Sequence, residues 1–395
     1  MPRSDPPPDR QFLPSLCIIG PSPVRLWKHT ASERLRMQFA AAGVSEISEA
    51  AALSHNGPII AVRGDGVLDQ PLISILAKRP SLLLLGESPH GPVPVAGHAV
   101  TGGLAQLLPI LSGEQPVDAD LRWIVRAPAA LDAAFWQSLR KREVPYALVV
   151  ADHNRPEVLW RMFMGTYKGA TDIVTKRLWP TPAFHVTRAL ARTSVTPNMV
   201  TSAAALLMAV AFYLFLVGNF AAGLAAAWLM TFLDTVDGKL ARATLTASKW
   251  GDILDHGIDL VHPPFWYVAW ALGLSAAGFS LDGSTLWTIV GAILASYMVQ
   301  RLFEGIAIKW LGLEIHIWRP IDTWFREITA RRNPNLILLT VSVLLGRPDW
   351  GILWVAGWSV VCLLLHAVQL AHAFFVRVRT GSPLRSWMSE PLRNQ

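Results

Sequence analysis

Cysteine is almost absent from this 395-residue chain, which has only Cys17 and Cys362. Because the two lie in different halves of the sequence, neither a disulfide framework nor a cysteine metal site is available. Charged residues are also scarce, at 16% against 52% hydrophobic residues. This balance lies between the soluble and membrane classes and argues against a single soluble domain.

Two further features are missing. The net charge is +7, but no basic run is interleaved with aromatic residues as a nucleic-acid surface requires, so we expect no nucleic-acid partner. The first 14 residues, MPRSDPPPDRQFLP, are polar and proline-rich and contain no apolar secretory core. We therefore expect a disordered leader at 1–14 and a cytoplasmic location for the N-terminal half.

Long apolar runs occupy the second half of the chain. Each is near the roughly 20 residues that a helix needs to cross about 30 Å of hydrocarbon. The predicted segments are 197–218, 220–242, 252–275, 285–308, 334–347 and 351–376. Lysine and arginine concentrate in the loops on one side, which by the positive-inside rule places that side and both termini in the cytoplasm. The sequence thus predicts an α-helical membrane domain of six transmembrane helices at 196–380 and a cytoplasmic tail at 381–395.

The first half has a different pattern. Between 15 and 165, short apolar runs such as LCIIG, PIIAVRGD and SLLLLG alternate with amphipathic helical stretches. Such alternation is typical of a soluble α/β domain with a mostly parallel sheet covered on both faces. Between the two domains, 166–195 is predicted to form a juxtamembrane amphipathic helix.

Aspartates recur at regular offsets in DTVDGKLARATLTASKWGDILDHGID. Asp234 and Asp237 share one helix face, and Asp255 and Asp259 share another. Carboxylates near hydrocarbon cost about 2.5–3.5 kcal/mol each, so four together call for a neutralising cation. Mg²⁺ and Mn²⁺ prefer such oxygens and commonly share them with substrate phosphates. The residues therefore predict a metal-dependent phosphoryl-transfer site at the cytoplasmic face.

The same stretch resembles the signature of the CDP-alcohol phosphotransferase family, D-x-x-D-G-x-x-A-R, eight residues, then G-x-x-x-D-x-x-x-D. Every fixed position matches: Asp234, Asp237, Gly238, Ala241, Arg242, Gly251, Asp255 and Asp259. The resemblance implies six transmembrane helices, a homodimer, and transfer of a substituted phosphate from a CDP-alcohol to an alcohol with release of CMP. It further implies a role in the synthesis of phospholipids or polyol phosphodiesters.

Carried over by position, the resemblance also implies residue roles. The metal, Mg²⁺ or Mn²⁺, would be held by Asp234, Asp237, Asp255 and Asp259. Asp259 would in addition act as general base on the acceptor hydroxyl. The CDP-binding residues would be Asp234, Asp237, Gly238, Ala241, Arg242, Gly251 and Asp255.

The acceptor could be an alcohol or a polyol phosphate such as inositol phosphate or glycerol phosphate. Candidate contacts in RPIDTWFREITARRNPN are Asp322, Arg326, Arg331, Arg332 and Asn333. An arginine cluster suits a phosphate-bearing acceptor. Ordinary anchoring of basic residues at the cytoplasmic face is an equal alternative.

The soluble half resembles the nucleotidyltransferase domain that is fused to such membrane domains in some bacterial and archaeal proteins of the inner or cytoplasmic membrane. Active members of that family have a glycine-rich loop, of which this chain keeps Gly20, with Arg25 and Lys28 as candidate remnants of its basic residues. Asp65 and Asp152 are either metal-binding acids or ordinary acidic residues at strand ends. We expect a degenerate domain. One alternative is a bifunctional enzyme that also makes the CDP-alcohol from CTP; another, of a different class, is an ion-coupled transporter that uses the aspartates.

Overall fold

The structure is a computed structural model that describes residues 14–100, 104–117, 123–131, 134–247 and 249–390, without the side chains of 106, 249, 250 and 252–256. Of the predicted leader at 1–14, only Pro14 falls among the described residues, and the last five residues of the tail also lie outside them. The described chain divides into two compact units. The first runs to Thr166 and includes Ala243–Leu245; the second comprises Tyr167–Arg242 and Thr246–Glu390.

The first unit contains strands and short helices in alternation. Its strands are β1 (Ser15–Ile19), β2 (Arg25–Leu26), β3 (His29–Thr30), β4 (Ile59–Arg63), β5 (Gly66–Leu68), β6 (Leu82–Ser88), β7 (Gly91–Ala99), β8 (Ile124–Arg126), β9 (Phe135–Trp136), β10 (Lys141–Arg142) and β11 (Ala147–Val149). Its helices are α1 (Ala31–Ala41), α2 (Glu49–Leu53), α3 (Gln70–Lys78), α4 (Leu104–Ser112) and α5 (Arg155–Gly165). An α/β domain is therefore confirmed.

The prediction of a mostly parallel sheet is wrong. The seven-stranded sheet has the order β1-β4-β7-β6-β11-β5, with β8 beside β6. The pairs of β4 with β7, β6 with β7, and β11 with β5 are antiparallel, whereas β1–β4, β6–β8 and β6–β11 are parallel. Only Pro89 and His90 separate β6 from β7, and so short a connection can only reverse the chain.

Both faces of the sheet are covered, as predicted. Leu16 and Ile18 of β1 pack with Phe39 of α1 on one face. Cys17, which points to the other face, packs with Leu107 of α4. This alternation follows from the two-residue period of side chains along a strand.

The second unit is helical. It begins with a π-helical turn at Val174–Leu178 and continues with α6 (Pro180–Leu190), α7 (Pro197–Leu216), α8 (Phe220–Ala243), α9 (Lys249–Gly273), α10 (Gly283–Ile306, extended by a π-helical turn to Leu311), α11 (Pro320–Ile328), α12 (Arg332–Leu344) and α13 (Pro348–Thr380). Thr196 caps α7 by accepting the backbone N–H of Met199.

Four helices among the described residues are long and apolar enough to cross a membrane: Pro197–Leu216, Phe220–Ala243, Gly283–Leu311 and Pro348–Thr380. The prediction of spans is confirmed by length and composition for these four. It stays a prediction for α9 and for α12, which has only 13 residues.

Close packing joins these helices. A Cβ atom at Gly273 of α9 would lie 1.9 Å from the carbonyl oxygen of Phe215 in α7, so only glycine permits this approach. Trp270, which is completely buried, donates its indole N–H to the carbonyl of Pro348 at the start of α13, 3.0 Å away. These contacts hold α7 and the start of α13 against the C-terminal end of α9.

Candidate active site

Two neighbouring helices supply the described aspartates of the site. Asp234 and Asp237 lie three residues apart on α8, and Asp259 lies on α9. The Asp255 side chain lies outside the described residues, so its predicted metal contact stays a prediction. Gly251 also lies on α9, as its place in the signature requires.

Arg332, the first residue of α12, connects the two aspartate helices. Its Nη2 donates to Asp234 Oδ2 and its Nη1 to Asp259 Oδ1, both at 2.5 Å. The side chains of Arg332 and Asp234 are each 15% exposed, whereas that of Asp259 is 43% exposed. Arg332, predicted as an acceptor contact, therefore lies directly between two predicted metal ligands, while Asp259 stays open to a reactant.

Asp237 lies deeper than its two neighbours. Its carboxylate is almost fully buried and accepts a 2.7 Å hydrogen bond from the Thr201 hydroxyl of α7. A hydrogen bond to a charged group is stronger than one between neutral groups and offsets part of the cost of burial. Thr201 therefore holds one predicted metal ligand in place.

Gly238, directly after Asp237, lies beneath the guanidinium group of Arg242. A Cβ atom at Gly238 would be 3.0 Å from Nη2 of Arg242, so the absence of a side chain leaves room for the arginine along the helix. Ala241 lies on the same helix. The Nζ of Lys239 lies over the ring of Tyr167, 3.3 Å from its centroid.

The described residues fit a cation in part. Among the described side chains, no three His, Cys, Asp or Glu groups gather into a metal-binding cluster. Asp234 and Asp259, however, converge on the single guanidinium of Arg332. Two carboxylates that share one cation are suited to a hard divalent ion, and Asp255, one turn before Asp259, is the additional oxygen donor that the signature implies.

The residues predicted to bind the acceptor make contacts in different parts of the helical unit. Arg331, which directly precedes Arg332, pairs with Glu304 of α10. Asp322 is buried and pairs with Arg319 at the start of α11, where it caps the helix. Arg326 is buried on the same helix. Of these candidates, Arg332 is joined directly to the aspartate site by hydrogen bonds.

Sequence reasoning missed a second polar cluster, which is centred on Glu304. This carboxylate accepts from Arg331, from Arg301 at 2.8 Å and from His316 Nε2 at 2.8 Å. Burial lowers the pKa of His316 well below its ordinary value, so the ring is neutral and its N–H donates. The signal was available, because Arg301 and Glu304 are charged residues three apart inside an apolar helix.

Two of the positions proposed for a nucleotidyltransferase in the first unit, Gly20 and Asp65, make local contacts. A Cβ atom at Gly64 would lie 2.4 Å from the carbonyl oxygen of Gly20, so the loop after β1 rests against the end of β4. Asp65 receives two hydrogen bonds from Arg63, at 2.9 and 2.8 Å. Lys28 and Asp152 are exposed.

A family model for CDP-alcohol phosphatidyltransferases matches residues 194–328, which include α8, α9 and the whole signature. This part of the chain belongs to that family. Over 117 residues, the chain is 33% identical to an archaetidylinositol phosphate synthase from Pyrococcus horikoshii. That match covers 29% of this chain and 60% of the relative's length.

Two crystal structures of a phosphatidylinositol phosphate synthase from Mycobacterium tuberculosis are also similar. The one with CDP-DAG bound is 20% identical with a TM-score of 0.38, and the match covers 48% of this chain and 92% of that one. The one with manganese and citrate is 22% identical with a TM-score of 0.37, over 48% and 88% of the two chains.

Proposed function

We propose that this chain is a membrane enzyme that transfers a substituted phosphate from a CDP-alcohol to an alcohol acceptor and releases CMP, with Mg²⁺ or Mn²⁺ as cofactor. The observation that carries the proposal is the convergence of Asp234 on α8 and Asp259 on α9 around one cationic group, in a segment that belongs to the CDP-alcohol phosphatidyltransferases. Six transmembrane helices, a cytoplasmic site and a homodimer belong to the same proposal.

The aspartates and the residues after them divide the work. Asp234, Asp237, Asp255 and Asp259 would hold the metal, which when bound neutralises charge on the diphosphate. Gly238 and Ala241 permit close approach of the nucleotide to α8, and Arg242 supplies a positive charge to it. Among the site aspartates whose side chains are described, Asp259 is the most exposed, and it would take the proton of the acceptor hydroxyl. Phosphoryl transfer needs such positioning and neutralisation more than covalent help.

A phosphate-bearing acceptor is supported by the Glu304 cluster. Arg301 and Arg331 share this one carboxylate, so the three groups together carry a net positive charge beside Arg332. Guanidinium groups recognise phosphate oxygens with two parallel hydrogen bonds. A polyol phosphate is therefore the acceptor class that we propose.

The test is CMP release by the full-length protein in detergent with Mg²⁺ or Mn²⁺. CDP-diacylglycerol, CDP-inositol and CDP-glycerol would each be paired with hydroxyl acceptors with and without a phosphate. We expect one pair to turn over and a chelator to stop it. Asp259→Asn should fold and release no CMP, whereas Asp282→Asn, at an exposed helix cap where asparagine serves equally well, should stay active. An active Asp259→Asn protein would exclude Asp259 as the base, and metal-independent ion flux without CMP release would favour a transporter.

Synthesis of the CDP-alcohol by the first unit is a separate candidate. The packing of the Gly20 loop against Gly64 and the pairing of Asp65 with Arg63 favour a degenerate domain instead. We expect no pyrophosphate release from CTP and a polyol phosphate under conditions where CMP release is measurable. Pyrophosphate release that is lost in Asp65→Asn would establish the bifunctional enzyme.

A further inference from the structure

Residues 167–179, here called the 167–179 segment, precede the family match, which begins at 194. The sequence favours the view that the basic residues of this region rest on anionic lipid. In the structure, Lys176 instead forms an ion pair with Glu327 of α11. The segment therefore makes specific contacts within the helical unit.

Asp172 is the centre of these contacts. Its carboxylate accepts the backbone N–H groups of Val174 and Thr175, at 3.1 and 3.0 Å, and the Thr175 hydroxyl at 2.8 Å. It also accepts the side-chain amide of Asn333, at 3.0 Å. Asn333 is 4% exposed and directly follows Arg332 in the first turn of α12. The carboxylate thus joins the segment to the helix that begins with Arg332.

The same segment also packs on the helix that carries Asp234. The ring of Trp179 meets Phe232 of α8 edge to face, with centroids 5.2 Å apart, and Trp228 at 6.1 Å. Phe232 lies two residues before Asp234. One short segment is therefore fixed both to α8, which carries Asp234, and to the first turn of α12, which carries Arg332.

We propose that the 167–179 segment is a positioning element of the aspartate site. Asp172 fixes Asn333, and with it the start of α12, relative to α8, so that Arg332 reaches Asp234 and Asp259 together. Asp172 and Asn333 are positioning residues that touch no reactant. The placement of Arg332 stands on geometry alone; its effect on turnover rests on the proposed function.

The test exchanges the two side chains. Asn333→Asp places two carboxylates at hydrogen-bond distance, so it should separate the segment from α12. In the double variant Asp172→Asn/Asn333→Asp, the amide oxygen at 172 keeps the backbone N–H groups of Val174 and Thr175. The amide nitrogen takes the place of Oδ2 and donates to the new carboxylate at 333, so the contact returns. Asp172→Asn alone should be mild, because an amide can still accept from Asn333.

Hydrogen exchange of the full-length protein in detergent provides a readout that needs no activity. We expect Asn333→Asp to raise the exchange rates of peptides covering 333–338 and also 233–242 severalfold, and the double variant to restore both. Faster exchange confined to 333–338 would overturn the proposal, because the contact would then brace α12 without holding the site. Unchanged exchange in both regions would overturn it as well.

Asn335→Asp is the matched control. It adds the same charge to the same helix, where Asn335 is 2% exposed and bonds to the Tyr267 hydroxyl at 2.8 Å instead. Asp172→Asn should not rescue it, and a rescue would show that the effect at 333 is merely one of net charge and overturn the proposal.

Activity separates this inference from the proposed function. If the wild-type protein releases CMP, kcat should fall at least tenfold in Asn333→Asp and recover in the double variant; unchanged kcat would overturn the positioning role. If the wild-type protein releases no CMP from any pair, the proposed function fails, and the exchange of 233–242 alone decides the placement of Arg332.

Discussion

Single side chains hold the aspartates where the family signature needs them. Thr201 donates to the buried carboxylate of Asp237 at 2.7 Å. A hydrogen bond to a charged group is worth about 1.5–3 kcal/mol, so Thr201→Val should lower metal-dependent CMP release about tenfold to a hundredfold. Thr201→Ser should retain the bond and most of the activity.

The control for this prediction is Thr288→Val. The Thr288 hydroxyl donates to the backbone carbonyl of Ser284 in its own helix, so its loss should leave CMP release unchanged. Binding of Mn²⁺, followed by electron paramagnetic resonance, should weaken in Thr201→Val alone. Equal Mn²⁺ affinity and turnover in both valine variants would show that Asp237 needs no partner.

A buried carboxylate in the first unit predicts a pH dependence of stability. Burial raises the pKa of Asp69 from 3.8 to about 6, although its side chain accepts the backbone N–H of Gln70 at the start of α3. Between these pH values the folded unit binds a proton that the unfolded chain does not. Its free energy of unfolding should therefore fall as the pH rises from 4 to 6 and level off above 7.

Asp69→Asn should remove this slope, because asparagine caps helices well and does not ionise in this range. The variant should be more stable than the wild type at pH 7 by about 1–3 kcal/mol, the scale of such a shift. The measurement is the urea midpoint of the first unit within the full-length protein, by pulse proteolysis, from pH 4 to 8. Asn replacement of the exposed Asp152 is the control; the same slope in wild type and Asp69→Asn would contradict the prediction.

At the scale of elements, the meeting of the β1 loop with the end of β4 depends on a missing side chain. A Cβ atom at Gly64 would lie 2.4 Å from the carbonyl oxygen of Gly20 and 2.8 Å from Cα of Pro21, both backbone atoms that cannot rotate away. Gly64→Ala should cost the first unit about 1–3 kcal/mol, which is typical of overpacking. The urea midpoint by pulse proteolysis measures it.

Gly57→Ala, just before the other end of β4, is the matched control. There the nearest atom to a new Cβ is Nε2 of His55, 2.6 Å away at the end of a side chain that can move. Its midpoint should change much less than that of Gly64→Ala. Equal shifts would show that the β1 loop adapts and that the close packing at Gly64 is not required.

Elements with a strong apolar period were predictable from the sequence, whereas β7 was not. The six apolar runs all became helices, because a long run leaves few other ways to satisfy the backbone. The prolines at 92 and 94 concealed β7, since proline is depleted from strand interiors. Its position between β4 and β6 adds two antiparallel pairs to the sheet. Local propensity could not reveal a pairing that depends on distant strands.

At the scale of the whole molecule, the local part of the site was predictable from the sequence, whereas its long-range contacts were not. The motif placed the aspartates on two helices, because its spacing is local to α8 and α9. The pairing of Arg332 with Asp234 joins residues 98 positions apart, and that of Arg331 with Glu304 joins residues 27 apart. Such contacts are set by how helices pack, which hydrophobic period alone does not specify. Charged residues in apolar helices are the signal that would have identified Glu304.

The orientation of the chain in the membrane is predicted from its basic loops and can be tested by labelling of single cysteines. Basic loops on one side predict that the tail at 381–395 faces the cytoplasm and that the loop before α10 faces the opposite side. Ser382→Cys should therefore react with a membrane-impermeant maleimide only after cells are permeabilised, whereas Ser280→Cys should react in intact cells. Both serines are exposed.

The wild-type protein is the control for this labelling, because Cys17 and Cys362 are fully buried. Burial also raises the pKa of the Cys17 thiol to about 11, which disfavours the reactive thiolate. Labelling of Ser382→Cys in intact cells would show the opposite orientation, with the aspartates on the side of the membrane away from the cytoplasm. CDP-alcohols would then have to reach the site from outside the cell.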